Sequence, residues 1–215
     1  MKRILLALDM DDTVADTNAY IADWLINYYE ESGLVHLADQ VRDLQYEGKT
    51  TMQLTGGHRE VVSTLIMPSG RFMIDSKPSE IVRKGLFSYL RDFIKDNEHI
   101  EIMVVVCTHR GFHKKGEEYT DRWLDANTWY YPVTKLHVID PADHLDKVAY
   151  LKAQYPEHQV ILFDDNPMGK PTEVLPYHPE LIVYTEIAEY PEYAGQTKVK
   201  TLDEFKIEFE RKINE

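Results

Sequence analysis

A chain of 215 residues with 43% apolar side chains, ten glycines and ten prolines can bury a sizeable core and is too apolar to be disordered. Its 24 lysines and arginines against 37 aspartates and glutamates leave a formal charge of −13, which excludes broad adhesion to nucleic-acid backbones or anionic membranes. The single cysteine, Cys107, excludes an internal disulfide, and no apolar run is long enough to span a bilayer, so the expectation is a cytoplasmic protein of a reducing compartment.

Ile4-Leu5-Leu6-Ala7-Leu8 is a continuous apolar run of strand length and reads as a fully buried strand. Asp9 cuts it, so the run is too short to be the apolar stretch of a leader behind Met1-Lys2-Arg3. The interval from Ala15 to Asp75 has no strand pattern. Tyr20, Ile21, Trp24, Leu25 and Tyr28 repeat there at helical spacing, closed by Ser32-Gly33, and further helices are expected over His36 to Leu44 and over Glu60 to Met67, the last ended by Pro68. Pro78 suits the first turn of a helix running to Lys95 through Ile81, Val82, Leu86, Tyr89, Leu90, Phe93 and Ile94. A buried strand from Ile102 to Cys107 follows, then a helix marked by Tyr119 and Trp123, a strand from Leu136 to Ile139, and a helix marked by Leu145, Val148 and Leu151. Strands from Val160 to Phe163 and from Leu181 to Tyr184 precede a last helix with Thr201 and Glu204 in capping-box spacing and Leu202, Phe205, Phe209 and Ile213 on one stripe. This alternation predicts an α/β fold, a parallel Rossmann-like sheet flanked by helices, built from residues 1–14 and 76–215. Residues 15–75 are expected to form a helical cap standing over the crevice at the strand ends as a lid.

Asp9 and Asp11 lie just beyond the first buried strand, where open α/β sheets bind ligands. One carboxylate there is a candidate nucleophile and the other a candidate proton carrier, with a divalent cation screening the charge that would repel a phosphate. Thr108 ends the second buried strand, Lys147 opens a later helix, and Asp164-Asp165 follow the strand from Val160. Taken singly, each has an ordinary use as a turn, a cap or a solvated lysine; falling in order at successive strand ends, they point to one site. Lys147 is preferred to Lys152, one turn further along the same helix, and to Lys114 and Lys115 beyond Thr108. His109 and Arg110 are expected as substrate contacts beside the phosphate. A zinc site shared by Cys107, His109 and His113 is disfavoured, because strand alternation points Cys107 away from Thr108 and the histidines flank Gly111 in a loop. Trp24, Tyr28, Tyr29, Phe72 and Met73 either stack against an organic leaving group or form the core of the cap.

Asp9-Met10-Asp11-Asp12-Thr13 resembles the first motif of the haloacid dehalogenase-like (HAD) phosphohydrolases, and Thr108, Lys147 and Asp164-Asp165 resemble their second, third and fourth motifs in order. The resemblance covers residues 1 to 14 and roughly 76 to 190. It implies a Mg²⁺-dependent phosphomonoesterase working through an aspartyl-phosphate. Asp9 would be nucleophile and metal ligand, Asp11 general acid and base, Thr108 a hydrogen-bond donor to a nonbridging oxygen, and Lys147 the charge beside nucleophile and phosphoryl group. Mg²⁺ would be held by the Asp9 side chain, the Asp11 carbonyl and Asp165, with Asp164 behind it or exchanging roles with Asp165. A helical insertion between the first two motifs is similar to that of the 5'(3')-deoxyribonucleotidase family, which removes phosphate from nucleoside monophosphates. Ala15-Asp16, Phe72-Met73, Cys107-Thr108, Asp146-Lys147 and Leu162-Phe163-Asp164-Asp165 carry that likeness, while Asp12 in place of the usual glycine and a longer stretch from Lys147 to Asp165 depart from it. The expected partner is therefore a small phosphomonoester, a nucleoside monophosphate first, with no membrane and no long nucleic acid; a homo-oligomer is compatible with the sequence. The other readings are a phosphatase for another small metabolite, a polynucleotide end phosphatase, and a catalytically silent binding module on the same fold.

Overall fold

The computed structural model describes residues 1–127, 132–169 and 172–215. In chain order its elements are β1 (Arg3–Leu8), β2 (Ala15–Asp16), α1 (Thr17–Glu31), α2 (Val35–Tyr46), α3 (Gly56–Val61), α4 (Met67–Ser69), α5 (Phe72–Asp75), β3 (Lys77–Pro78), α6 (Glu80–Arg83) and α7 (Leu86–Asp96). There follow β4 (Glu101–Thr108), α8 (Gly116–Asn127), β5 (Val133–Val138), α9 (Lys147–Gln154), β6 (Gln159–Asp164), β7 (Leu181–Tyr184), β8 (Lys198–Val199) and α10 (Leu202–Asn214).

Among the described residues β5, β4, β1, β6, β7 and β8 form one sheet in that order, and every pairing in it is parallel. Side chains alternate across it. Ile4, Leu6, Leu8, Val104, Val106, Ile161 and Phe163 join one core with Leu86 and Leu90 of α7, Trp123 of α8 and Phe205 and Phe209 of α10. Leu5, Ala7, Val105, Cys107, Val160 and Leu162 join the other with Val148 and Leu151 of α9. Burial on both faces is the reason these strands read as unbroken apolar runs. The chain passes from β1 through β4 to β5 on one side, then returns to β6 on the other side of β1, so the carboxyl ends of β1, β4 and β6 meet at the point where the winding reverses. That is the crevice in which sheets of this kind bind ligands.

The helical insertion leaves and returns through a short ribbon in which β2 pairs antiparallel with β3, Ala15 opposite Pro78 and Asp16 opposite Lys77. Between them α1 to α5 gather Ile21, Leu25, Tyr29, Val41, Ile66, Phe72 and Met73 into a core of their own. Trp24 and Tyr28 stack on each other with ring centroids 5.2 Å apart.

Several local expectations need correction. Pro78 does not open a helix: it lies in β3, the next residue, Ser79, donates to the Thr13 carbonyl at 2.6 Å, and α6 starts only at Glu80. The expected helix to Lys95 is broken by Gly85, whose φ of 106° no ordinary side chain adopts, into α6 and α7. Pro68 does not end the third cap helix. The turn Val62–Ile66 widens into a π-helix and α4 carries Pro68 in its first residues, so the missing N–H is tolerated and the stop falls at Gly70, φ 63°. The interval from Ala15 to Asp75, read as free of strands, opens with β2, whose partner β3 lies just beyond its other end. Leu145 lies outside α9 and is exposed. The strand expected over Leu136 to Ile139 runs from Val133 to Val138, and β8 had no counterpart in the sequence reading. The capping box of Thr201 and Glu204 on α10 is present.

Candidate active site

The loop after β1 is shaped by its own backbone. Asp9 stays in the ladder through its N–H to the Phe163 carbonyl at 3.0 Å, and the Met10 carbonyl accepts from Val14 and Ala15 at 3.0 and 2.7 Å. Asp12 closes the turn at φ 58°, in the left-handed region that aspartate tolerates better than most residues. Its Oδ1 accepts from the Asn18 N–H at 2.7 Å at the start of α1. Thr13 Oγ1 accepts from the Asp165 N–H at 3.0 Å, which pins this loop to the end of β6.

Lys147 is the first residue of α9, fixed there by Asp146, whose carboxylate caps the helix on Ala149 N–H at 3.0 Å. From that position its Nζ donates to Asp9 Oδ1 at 2.6 Å and to Asp164 Oδ2 at 2.8 Å, and the residues of this trio are all buried. Lys152 instead meets Glu180 at the surface, 2.6 Å away. Carboxylate oxygens of Asp9, Asp164 and Asp165 lie within 4.8 Å of one another. Both oxygens of Asp164 are engaged, Oδ2 by Lys147 and Oδ1 by the Asn166 N–H at 2.8 Å, whereas the Asp165 carboxylate is met by Thr13 Oγ1 at 3.4 Å. Three buried carboxylates against one ammonium leave an excess of negative charge that a hard cation with oxygen ligands suits. Thr108, fully buried at the end of β4 beside β1, has a hydroxyl with no hydrogen-bond partner among the described residues. Such a group is the kind a bound anion satisfies.

Asp11 has different surroundings. The guanidinium of Arg110 grips it through both oxygens, Nε to Oδ2 at 2.9 Å and Nη2 to Oδ1 at 2.6 Å, and Thr17 Oγ1 donates to Oδ1 at 2.6 Å. Arg110 is completely buried, with its guanidinium turned onto Asp11. His109 is half-buried, with Nε2 against the His144 carbonyl at 2.8 Å. His113 turns to the insertion, its Nε2 3.2 Å from the Pro68 carbonyl, away from the buried Cys107, whose thiol burial pushes up to about 12. The Arg110 grip, Thr17 and Thr13 were not legible as site residues. The available signal was the pair Gly111 and Gly116: a Cβ at Gly111 would lie 2.5 Å from the Ile139 carbonyl carbon, and one at Gly116 would lie 2.1 Å from the Arg110 carbonyl oxygen.

Burial pushes Asp9 up to about 7, with Asp164 and Asp11 adding to the rise and Lys147 opposing it. Burial and neighbouring carboxylates likewise raise Asp12 to about 8 and Asp165 well above the usual range. Burial works on Asp11 in the same direction, but the charge and hydrogen bonds of Arg110, then Thr17, outweigh it and hold that carboxyl low. Burial disfavours the charge on Lys147, yet Asp164 and Asp9 overcome it and keep the ammonium protonated. The raised groups bind protons more tightly folded than unfolded, so their stabilisation is full below 3.8 and is lost as pH rises through about 7 to 8. Mg²⁺ competes with those protons. The expected result is a metal-free protein whose melting temperature falls between pH 5 and pH 8, and a Mg²⁺-induced rise of about 5 to 10 °C at pH 8 that shrinks at pH 5. Scanning calorimetry with chelator and with Mg²⁺ checks it; equal rises at both pH values would count against a cation on these carboxylates.

No family model matches the chain, and no curated protein matches it. Among solved structures it is similar to a predicted phosphatase from Clostridium acetobutylicum, at 13% identity and a TM-score of 0.52, over 98% of this chain and 100% of that one. The two share a fold. Among the described residues no helix is long and apolar enough to cross a membrane.

Proposed function

We propose that this chain is a Mg²⁺-dependent phosphomonoesterase of the HAD type, acting on a small phosphate ester through an aspartyl-phosphate, with a (deoxy)nucleoside monophosphate as the favoured substrate. The observation that carries the reading is the buried meeting of Asp9, Lys147, Asp164 and Asp165 at the winding reversal, beside the unpartnered hydroxyl of Thr108. Asp9, held by Lys147, attacks phosphorus with a carboxylate oxygen, and the bond from phosphorus to the ester oxygen breaks. Asp11, whose carboxyl Arg110 holds low, must take up a proton against that pair before handing it to the leaving oxygen; it then takes one from the water that attacks the acyl phosphate and frees Asp9. Thr108 Oγ1 donates to a nonbridging oxygen while Lys147 offsets charge on the transferring group. Asp9 and Asp165, with the Asp11 carbonyl, would hold the cation, which supplies charge neutralisation for two anions brought together.

The nucleotide preference rests on the likeness of the helical insertion to that of the 5'(3')-deoxyribonucleotidases and on an overall charge that repels polyanions. Phosphate release is expected from nucleoside 5' or 3' monophosphates with Mg²⁺ and not with chelator, and at most slowly from a 5'-phosphorylated oligonucleotide. A malachite-green screen that includes sugar phosphates decides it. Fast release from a sugar phosphate with none from nucleotides would remove the nucleotidase reading, and binding of phosphate esters without any release would favour a silent binding module.

A further inference from the structure

Arg110 is held more completely than an arginine on a loop needs to be. It has no solvent exposure, and each of its three nitrogens is used: Nε and Nη2 on the two oxygens of Asp11, and Nη1 on the Met73 carbonyl at 3.1 Å and Thr120 Oγ1 at 3.3 Å. Met73 is in α5, the last helix of the insertion; Thr120 is in α8 of the core. Asp11 Oδ1 has a second donor in Thr17, the first residue of the insertion's first helix. The carboxylate that moves protons in the proposed reaction is thus gripped by one residue at the start of the insertion and by an arginine tied to its end. The Asp11 side chain is itself 33% exposed, so packing does not fix its direction and these donors do. The Arg110 backbone is held close to its neighbours: a Cβ at Gly116 would lie 2.1 Å from the Arg110 carbonyl oxygen, and one at the adjoining Gly111 would lie 2.5 Å from the Ile139 carbonyl carbon.

We propose that Arg110 is a positioning residue: its fork sets the direction of the Asp11 carboxylate, and its bond to Met73 makes that direction depend on the insertion being seated. The inference rests on the phosphomonoesterase reading for its catalytic half, while the link between insertion and core stands on geometry alone. A planar fork on two carboxylate oxygens fixes both the distance and the plane of the acid, and a lysine at the same place supplies a point charge without fixing the plane. Misplacing a catalytic group by an ångström is enough to lower a rate on the order of 10²-fold.

Arg110→Lys in the full chain tests this, since it keeps the positive charge and loses the fork. The constant to read is kcat/KM, which covers the steps up to release of the alcohol. With dTMP, whose alkoxide needs a proton, kcat/KM is expected to fall on the order of 10²-fold. With p-nitrophenyl phosphate, whose phenolate leaves unprotonated, it is expected to fall much less. Equal losses on the two esters would assign Arg110 a purely structural role and overturn the positioning claim. Hydrogen exchange is the second readout: at an unchanged global melting temperature, amides of residues 15–18 and 72–79 are expected to exchange faster in the variant, and unchanged exchange there would overturn the link to the insertion. A wild-type chain that releases phosphate from neither ester would refute the phosphatase reading and with it the positioning claim, and the exchange comparison would then decide the link by itself.

Discussion

Asp9→Asn is expected to abolish phosphate release from every ester while leaving the chain folded. An amide oxygen cannot form the acyl phosphate, and removal of a nucleophile from an otherwise intact site lowers turnover roughly 10⁴-fold or more. The fold should not suffer. Asp9 is a buried carboxylate whose pKa is pushed up to about 7, so at pH 8 without metal its charge is a liability that asparagine removes, and Lys147 keeps Asp164 at 2.8 Å. The variant should therefore melt at or above the wild-type temperature at pH 8 in chelator and gain less from added Mg²⁺. Acid-quenched wild type incubated with substrate should carry phosphate on the peptide containing Asp9, and the variant should not. Turnover within tenfold of wild type would move the nucleophile elsewhere.

How far the sequence revealed this molecule follows from which forces are local. β1, β4 and β6 were legible because their two buried faces leave unbroken apolar runs, and the acidic loops were legible because they fall in order at the ends of successive runs of this kind. Lys147 could be chosen over Lys152 because one helical turn separates a residue at the start of α9 from one pointing to the surface. The breaks in the cap and after it were harder. At Pro68 the helix survives because the preceding turn widens, a compensation no propensity encodes, and β2 and β3 exist only because the two ends of the insertion meet. At Arg110 the sequence points to a substrate contact; its bidentate bond to a carboxylate 99 positions earlier was not legible, because that pairing and the close backbone approaches at Gly111 and Gly116 exist only in the folded chain. The departure at Asp12 has a local answer: the residue takes the left-handed backbone for which glycine is the usual choice, and its carboxylate stabilises the turn by accepting from Asn18.

Lys147→Met should separate charge from volume at the centre of the site. Methionine fills most of the lysine stem but leaves Asp9, Asp164 and Asp165 without their buried cation, and removing one partner of such a cluster costs about 3–5 kcal/mol. Taking away the ammonium pushes the carboxyl pKa values further up. Groups raised on folding are stabilising below 3.8 and lose that contribution as pH rises, so the deficit should be largest at pH 8, roughly 10 °C in melting temperature, and small at pH 5 where Asp9 is protonated. Activity should respond differently. The lysine offsets charge that grows as the phosphoryl group transfers, so kcat should fall on the order of 10³-fold while KM stays within a few-fold. Lys152→Met, which removes a surface pair with Glu180, serves as the control and should change stability by less than about 1 kcal/mol with turnover unaltered. If Lys147→Met were equally destabilised at both pH values, the stem rather than the charge would be what the fold needs. If its turnover were intact, the charge beside the nucleophile would have to come from elsewhere, with Lys114 and Lys115 the next residues to replace.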